Sequence, residues 1–393
     1  MPAALEGLRI LDLTTLYPGP MATVMLADLG ADVLRVEAPD RPDLLRYMPP
    51  YDASGEGATY RMANRNKRSI ALNLKAPGGI AVMKALVQHY DVVIEQFRPG
   101  VLDRLGVGYE ALRAAQPRLI WCAISSYGQT GPWRDRPGHD INFMALSGIA
   151  SHTGRPETGP VPSNTLIGDV GGGSFGAITG ILAAVIHRMK TGEGQFIDIS
   201  MGDGALWMNG MAVAGALAGN HELRRGAGPL NGGSAYDYYR CRDGGWLAVG
   251  ALEPKFWNMF CSAIGHPELE DHDAADAVDA AALKARIAQA VSERDLVDWE
   301  GVFSGVECCV DAVRSTREAM SHPQYAARHM VVDVPLPEGG IQRQLGNPIH
   351  LSACPPRYDS ASCPLGAHTQ EVLREIGFAD ADIEELRAHG TLA

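Results

Sequence analysis

Short apolar runs alternate with amphipathic stretches through the first two hundred residues. Leu8 to Leu13 is apolar, Tyr17-Pro18-Gly19-Pro20 is a turn, Met21 to Leu29 has helical spacing, and Ala31 to Val36 is a second apolar run ending at Glu37. Ser69 to Leu74 alternates as a strand does, and Gly78 to His89 reads as a helix. Asp91 to Glu95 and Arg118 to Ile124 read as buried strands, and Phe196 to Ile199 adds one more after an apolar helix from Phe175 to Met189. Strands that alternate with helices predict an α/β fold with a mainly parallel sheet covered on both faces. The opening strand, helix, strand unit has the outline of a dinucleotide site. Its turn is Pro-Gly-Pro, without the Gly-x-Gly-x-x-Gly that brings backbone to a pyrophosphate, and that function is set aside.

The pattern changes after residue 200. Met201 to Gly219 is Met-, Ala- and Gly-rich with helical character, and Asn220 to Ser234 is polar and glycine-rich. Ala235 to Val249 reads as a hairpin turning at Asp243-Gly244. Helices are expected at about 254–264, 281–292 and 294–303, with a helix pair near 309–328. The passage from Pro335 to Pro356 is rich in Pro and Gly, with a short strand from Gly340 to Leu345. The tail gives helices at Thr369 to Ile376 and Asp380 to His389, with Thr369 and Asp380 as expected caps. The domain reading is therefore 1–200 as the N-terminal part of a large domain and 201–233 as a linker. A smaller α+β domain fills 234–330, and 331–393 is a second linker with helices returning to the large domain.

A chain of 393 residues that is 46% hydrophobic can support two cores, and a net charge of −12 argues against nucleic acid or an anionic membrane as partner. Any anionic ligand must be met by local Arg and Lys. Seven cysteines without a Cys-x-x-Cys pair fit a reducing compartment, and no metal-ligand spacing is present. The N-terminus lacks the basic and apolar regions of a secretory signal. The longest apolar stretches, Phe175 to Met189 and Gly204 to Gly219, fall short of a span of about 20 residues. A soluble cytoplasmic protein is expected.

The candidate chemistry lies between Gly138 and Gly173. Gly138-His139-Asp140-Ile141-Asn142-Phe143 follows a Gly-Pro-rich loop, and Gly168-Asp169-Val170-Gly171-Gly172-Gly173 precedes the apolar helix. Two groups able to carry a proton thus stand at element ends, where functional residues concentrate. Backbone N–H groups at the start of the helix after Asp169 are expected to be donors for an anion.

Several separated motifs resemble the class III coenzyme A transferase family, also called the CaiB/BaiF family. They are Leu8 to Glu37 with Ala27-Asp28-Leu29-Gly30-Ala31-Asp32-Val33, Asn66-Lys67-Arg68-Ser69-Ile70, Leu72-Asn73-Leu74-Lys75, Glu95-Gln96-Phe97-Arg98-Pro99-Gly100, Arg104-Leu105-Gly106, Gly128-Gln129-Thr130-Gly131-Pro132 and Gly192-Glu193-Gly194-Gln195. Within the family, the stretches around His139 and Asp169 and the run Gly250-Ala251-Leu252-Glu253-Pro254-Lys255-Phe256 are similar to the α-methylacyl-CoA racemase branch. The resemblance implies a Rossmann-like large domain and a small domain in an interlocked homodimer. It also implies an acyl-CoA substrate in fatty-acid metabolism, and no cofactor besides the coenzyme A of that substrate.

By the same resemblance, His139 and Asp169 are the two acid/base groups, and Glu253, from the partner subunit of such a dimer, holds the imidazole. The coenzyme is bound by Leu72 to Lys75, by Gln96, Phe97 and Arg98, by Arg104, and by Gly138, Asp140, Ile141, Asn142 and Phe143. Transferases of the family use the matching Asp as a nucleophile and generally lack the His and Glu. Coenzyme A transfer through an aspartyl thioester at Asp169 is therefore the alternative, and a CoA-binding protein without turnover is a third reading. Two departures stand out. Ala38 occupies a position where the family commonly has an Arg for the adenine, with Arg41 or Arg46 as substitutes. Tyr17 stands where many transferases have Gln. Met144, Met201, Met208 and Met211 are candidates for an adaptable acyl surface or for core.

Overall fold

The computed structural model describes residues 2–219, 221–274 and 280–393. Its central sheet is built from β1 (Arg9–Asp12), β2 (Asp32–Glu37), β3 (Lys67–Ala71), β4 (Val92–Glu95), β5 (Ile120–Ser125) and β6 (Phe196–Ser200). All neighbouring pairs are parallel, in the order β3-β2-β1-β4-β5-β6. The six strands fall where the apolar pattern predicts them, displaced by a few residues at their ends. Strands β1, β2, β4 and β5 are buried almost throughout, which is why they read as continuous apolar runs. The strand order reverses between β1 and β4, and in open α/β sheets ligands bind beyond the strand C-termini at such a reversal.

The chain divides into two compact units. One comprises Met1–Leu146, Thr165–Met208 and Pro323–Ala393, and the other Ser147–Asn164 and Asn209–His322. The division departs from the expected domains at three places, the first being that the second unit ends at His322 and not at 330. Residues 201–208 form a helix of the first unit where a linker was expected, and Gly210–Gly219 is a helix of the second. The passage 147–164 leaves the first unit because its polar groups are satisfied in the second. Arg225 donates to the carbonyls of Ala150 and Thr153, and Arg155 pairs with Asp237.

In the second unit β7 (Asp237–Arg240) and β8 (Trp246–Val249) form the expected hairpin, joined by β9 (Val310–Ala312) and covered by helices packed through Trp257, Phe260 and Trp299. The helix pair expected near 309–328 begins only at Thr316, after β9. In the first unit β10 (Val331–Pro335) pairs with β11 (Ile341–Leu345), and the tail packs Val372, Leu373, Ile383 and Leu392 into the core around the sheet. The tail caps lie one residue earlier than expected, at His368 and Ala379.

Two features position the loops at the reversal point. A buried charge network lies under the first helix, Pro18–Asp28. Lys67 donates all three of its protons, to Asp12 at 3.1 Å, to the Pro20 carbonyl at 3.1 Å and to Asn64 at 2.9 Å. Burial opposes the charge on Asp12, yet Lys67 and Arg35 bring its carboxyl down to about 2, and burial takes Lys67 down to about 8.

The second feature is a π-helix, Ile167–Ser174, continuous with the helix Phe175–Thr191. The joined segment Ile167–Thr191 is 25 residues long and apolar enough to cross a membrane by length and composition, longer than the sequence reading allowed. It packs on β6, where Gly176 and Gly180 lie against Ile199 and Ile197. Glycine is required where this helix meets the helix Met201–Met208: a Cβ on Gly204 would stand 2.2 Å from the Gly172 Cα.

Gly204→Ala should therefore destabilise the protein by about 1–3 kcal/mol in urea denaturation. Gly210→Ala is the control, because a Cβ there meets nothing within 4 Å, and it should be neutral or slightly stabilising.

Candidate active site

His139 is exposed and immediately precedes the helix Asp140–Leu146. Its N–H donates to Asn142 Oδ1 at 3.0 Å, and its carbonyl accepts from the Asn142 N–H at 2.7 Å, a reciprocal pair that fixes the helix start. The next side chain, Asp140, is buried. Its Oδ1 accepts from the N–H of Gly168 at 2.7 Å and of Asp169 at 3.0 Å. One carboxylate thus ties the His139 turn to the Asp169 turn. Phe143, wholly buried, fills the space beneath. A Cβ on Gly168 would come within 2.9 Å of its ring and one on Gly138 within 2.8 Å, so both glycines are needed for this approach.

Asp169 is half-buried in the first turn of the π-helix. Burial, then the neighbouring charge of Asp140, push its carboxyl up to about 6, with His139 acting in the opposite sense. A carboxyl there changes protonation close to neutral pH, as a proton carrier must.

The expectation of free backbone donors after Asp169 is not met. The Gly168 and Asp169 N–H groups are taken by Asp140, and the Val170 N–H donates to the Leu166 carbonyl. The helix Pro18–Asp28 offers none either. Pro18 and Pro20 have no N–H, Gly19 donates to Gln96 Oε1 at 3.1 Å, and Met21 donates to the Tyr17 carbonyl. The sequence singled out Asp140 only through the resemblance, as a residue binding the coenzyme, and its part in holding two turns together was not foreseen.

Gln96 lies at the reversal point, across from the first helix, through its bond to Gly19. Phe97 is half-buried against the core, with its N–H on Glu95. Leu72 is buried in the core, and its N–H is bonded to the Glu37 carbonyl. Asn73 turns the chain by accepting the Lys75 N–H, Leu74 packs against the core, and Lys75 is exposed. Arg98 and Arg104 are exposed, Ile141 is 61% exposed, and neither arginine has an ion-pair partner among the described residues. The guanidinium groups of Arg104 and Arg134 converge on Gly100, lying 3.2 Å and 3.7 Å from where a Cβ would stand.

Arg46 does not replace the missing arginine at position 38. It is buried, bonded to Glu37 and Glu56, and stacked 4.0 Å from the Tyr60 ring. Arg41 is exposed, and its N–H donates to the Ala38 carbonyl.

Glu253 belongs to the second unit, where it is exposed at the start of the helix Pro254–Ala263. Met201 is buried against Gly173, and Met208 lies over Gly171, half exposed, so these two flank the π-helix of the first unit. Met211 belongs to the second unit and is 80% exposed. Among the described residues no group of three His, Cys, Asp or Glu side chains is placed to hold a metal ion.

The turns that carry His139 and Asp169, tied together through Asp140, stand in the same unit as the exposed Arg98 and Arg104, an arrangement suited to acid/base or nucleophilic chemistry on an anionic substrate. The chain belongs to CoA-transferase family III, whose profile matches residues 5–369. It is 33% identical to the α-methylacyl-CoA racemase of Homo sapiens over 98% of this chain and 96% of that one. It is 34% identical to the succinate–glutarate CoA-transferase of Agrobacterium fabrum (strain C58), over 95% of each. A CaiB/BaiF family protein from Brucella suis has the same fold, with a TM-score of 0.84 and 28% identity over 96% of this chain and all of that one.

Raising a carboxyl from its ordinary value of 3.8 to about 6 makes the folded state the better proton binder between those limits. Asp169 then costs stability as pH climbs through that window, and the cost is complete above it. Two pH units correspond to about 3 kcal/mol in a dry site, and partial solvent contact brings the expected gain from Asp169→Asn at pH 7 to about 1 kcal/mol. Urea midpoints should show that gain at pH 7 and little of it at pH 4.

Proposed function

We propose that this enzyme interconverts the epimers of 2-methylacyl-CoA thioesters by two-base proton transfer. The observation that carries the reading is the Asp169 carboxyl, raised to about 6 in a half-buried turn and within electrostatic reach of His139. A proton next to a thioester carbonyl is acidic enough to be removed by such a base when the enolate is stabilised. One group takes the α-proton from one face, the enolate forms, and the protonated partner delivers a proton to the other face. The step consumes no cofactor.

In this reading the enzyme works as an interlocked homodimer, and Glu253 of the partner subunit orients the His139 ring. Support comes from the large apolar side chains the single chain leaves open, including Trp207 at 87%, Met211 at 80% and Leu217 at 84% exposed, which an interface would cover. The arginines at Gly100 are suited to the phosphates of coenzyme A, and Arg41 to its adenine end beside Ala38. Met201 and Met208 suit a branched acyl group. Seven free thiols fit the cytoplasm.

The transferase relative supports a second reading. There Asp169 attacks the thioester carbonyl, passes through a mixed anhydride, and carries coenzyme A as an aspartyl thioester. That route gives His139 no task, and Tyr17 replaces the Gln common in such transferases. A binding protein without turnover would leave the shifted carboxyl unused as well.

Incubation of one pure 2-methylacyl-CoA epimer with the enzyme in deuterium oxide, without a free acid, separates the readings by proton NMR. The expected result is loss of the α-proton signal with appearance of the other epimer. No exchange, followed by a new thioester on addition of a second carboxylic acid, would make the protein a transferase.

A further inference from the structure

The enolate needs a donor, and in the helices beside Asp169 the N–H groups of Gly168, Asp169, Val170, Gly19 and Met21 are spent on Asp140, Leu166, Gln96 and Tyr17. Side chains at the reversal point are a further source. The loop from β1 to the helix Pro18–Asp28 contains a strained residue: Leu16 has φ 61, a left-handed conformation that a branched apolar side chain rarely adopts. It is held there by its N–H, which donates to Asp43 Oδ2 at 2.9 Å, and Asp43 is buried on Arg35. The buried Asp43–Arg35 pair thus fixes the backbone that leads into the helix Pro18–Asp28.

The residue that follows is Tyr17. It is half-buried, its neighbour Pro18 accepts a bond from Ser174 Oγ at 2.7 Å, and Pro18 also lies against Gly173, so the π-helix carrying Asp169 is docked on this loop. The Tyr17 hydroxyl has no protein hydrogen-bond partner among the described residues, although the Asp169 carboxylate is its electrostatic neighbour.

We propose that the Tyr17 hydroxyl donates the hydrogen bond that holds the substrate's thioester oxygen beside Asp169, and keeps donating as that oxygen becomes an enolate. This inference rests on the acyl-CoA reading of the site. When the base removes the α-proton, the C–H electron pair forms the carbon–carbon double bond and the carbonyl π pair moves to oxygen. Tyr17 shares its proton without losing it, and reprotonation of the α-carbon reverses the flow. Burial, then the Asp169 charge, raise the phenol above its ordinary value, so it remains a donor throughout neutral pH.

The test uses a 2-methylacyl-CoA labelled with carbon-13 at the thioester carbonyl and bound to the full-length Asp169→Asn enzyme, which holds it without interconverting its epimers. In difference infrared spectra, adding Tyr17→Phe should move the carbonyl stretch to higher wavenumber, as loss of a hydrogen bond does. Placing 3-fluorotyrosine at position 17, a stronger donor of nearly the same shape, should move it lower. A stretch that stays put in both overturns the proposal. In the otherwise wild-type enzyme, Tyr17→Phe should lower kcat for α-proton exchange about 100-fold or more with KM little changed, and an unchanged kcat counts against it. If the wild-type enzyme exchanges no α-proton, the racemase reading fails on its own, while the carbonyl stretch still decides the role of Tyr17.

Discussion

The site depends on one buried carboxylate. Asp140 Oδ1 receives two backbone N–H groups, from Gly168 and Asp169, while Asp140 itself is bonded in sequence to His139. Hydrogen bonds to a charged acceptor contribute roughly 1.5–3 kcal/mol each where they are shielded from water. The pair is therefore strong enough to hold the imidazole turn and the carboxyl turn in one relation. The same contact has two electrostatic consequences: it places a negative charge beside Asp169, which helps to raise that carboxyl toward neutrality, and it occupies the Gly168 and Asp169 N–H groups. A residue that holds the His139 and Asp169 turns together thus also takes two of the backbone donors at the start of the π-helix.

The sequence made much of this legible. The parallel strands are buried on both faces, so their apolar runs stand out, and the reversal between β1 and β4 is a consequence of their order. His139 and Asp169 were recognisable because both lie at element ends within glycine-rich contexts. What stayed hidden depends on distant partners. Nothing local distinguishes Asp140 as a clamp, since the two N–H groups that donate to its Oδ1 are 28 and 29 residues away. Arg46 looks like a free cation until Glu37, Glu56 and Tyr60 close around it. The passage 147–164 reads as part of the first domain, yet Arg225 and Asp237 satisfy it in the second unit. The left-handed Leu16 has no signature at all, because its conformation is imposed by Asp43.

Stability and chemistry are linked through the ground beneath the first helix. Asp12, Arg35, Glu37, Asp43 and Lys67 are all buried, a costly arrangement unless every charge is paired. Here each is paired, and the network ends on groups that shape the site: Lys67 on the Pro20 carbonyl, and Asp43 on the Leu16 N–H. Removing one member would leave an uncompensated charge and release the loop that carries Tyr17, so loss of fold and loss of geometry would come together.

Two-base catalysis makes a demand that no single-base or nucleophilic route shares: each base must serve one face of the α-carbon. The most direct measurement is α-proton exchange in deuterium oxide by the His139→Ala and Asp169→Asn enzymes, with each pure epimer tested separately. The expected result is that neither variant interconverts epimers, while each still exchanges the α-proton of one epimer, and the two variants choose opposite epimers. Full racemisation by His139→Ala, or loss of exchange for the same epimer in both variants, would contradict the assignment of His139 and Asp169 as opposed bases.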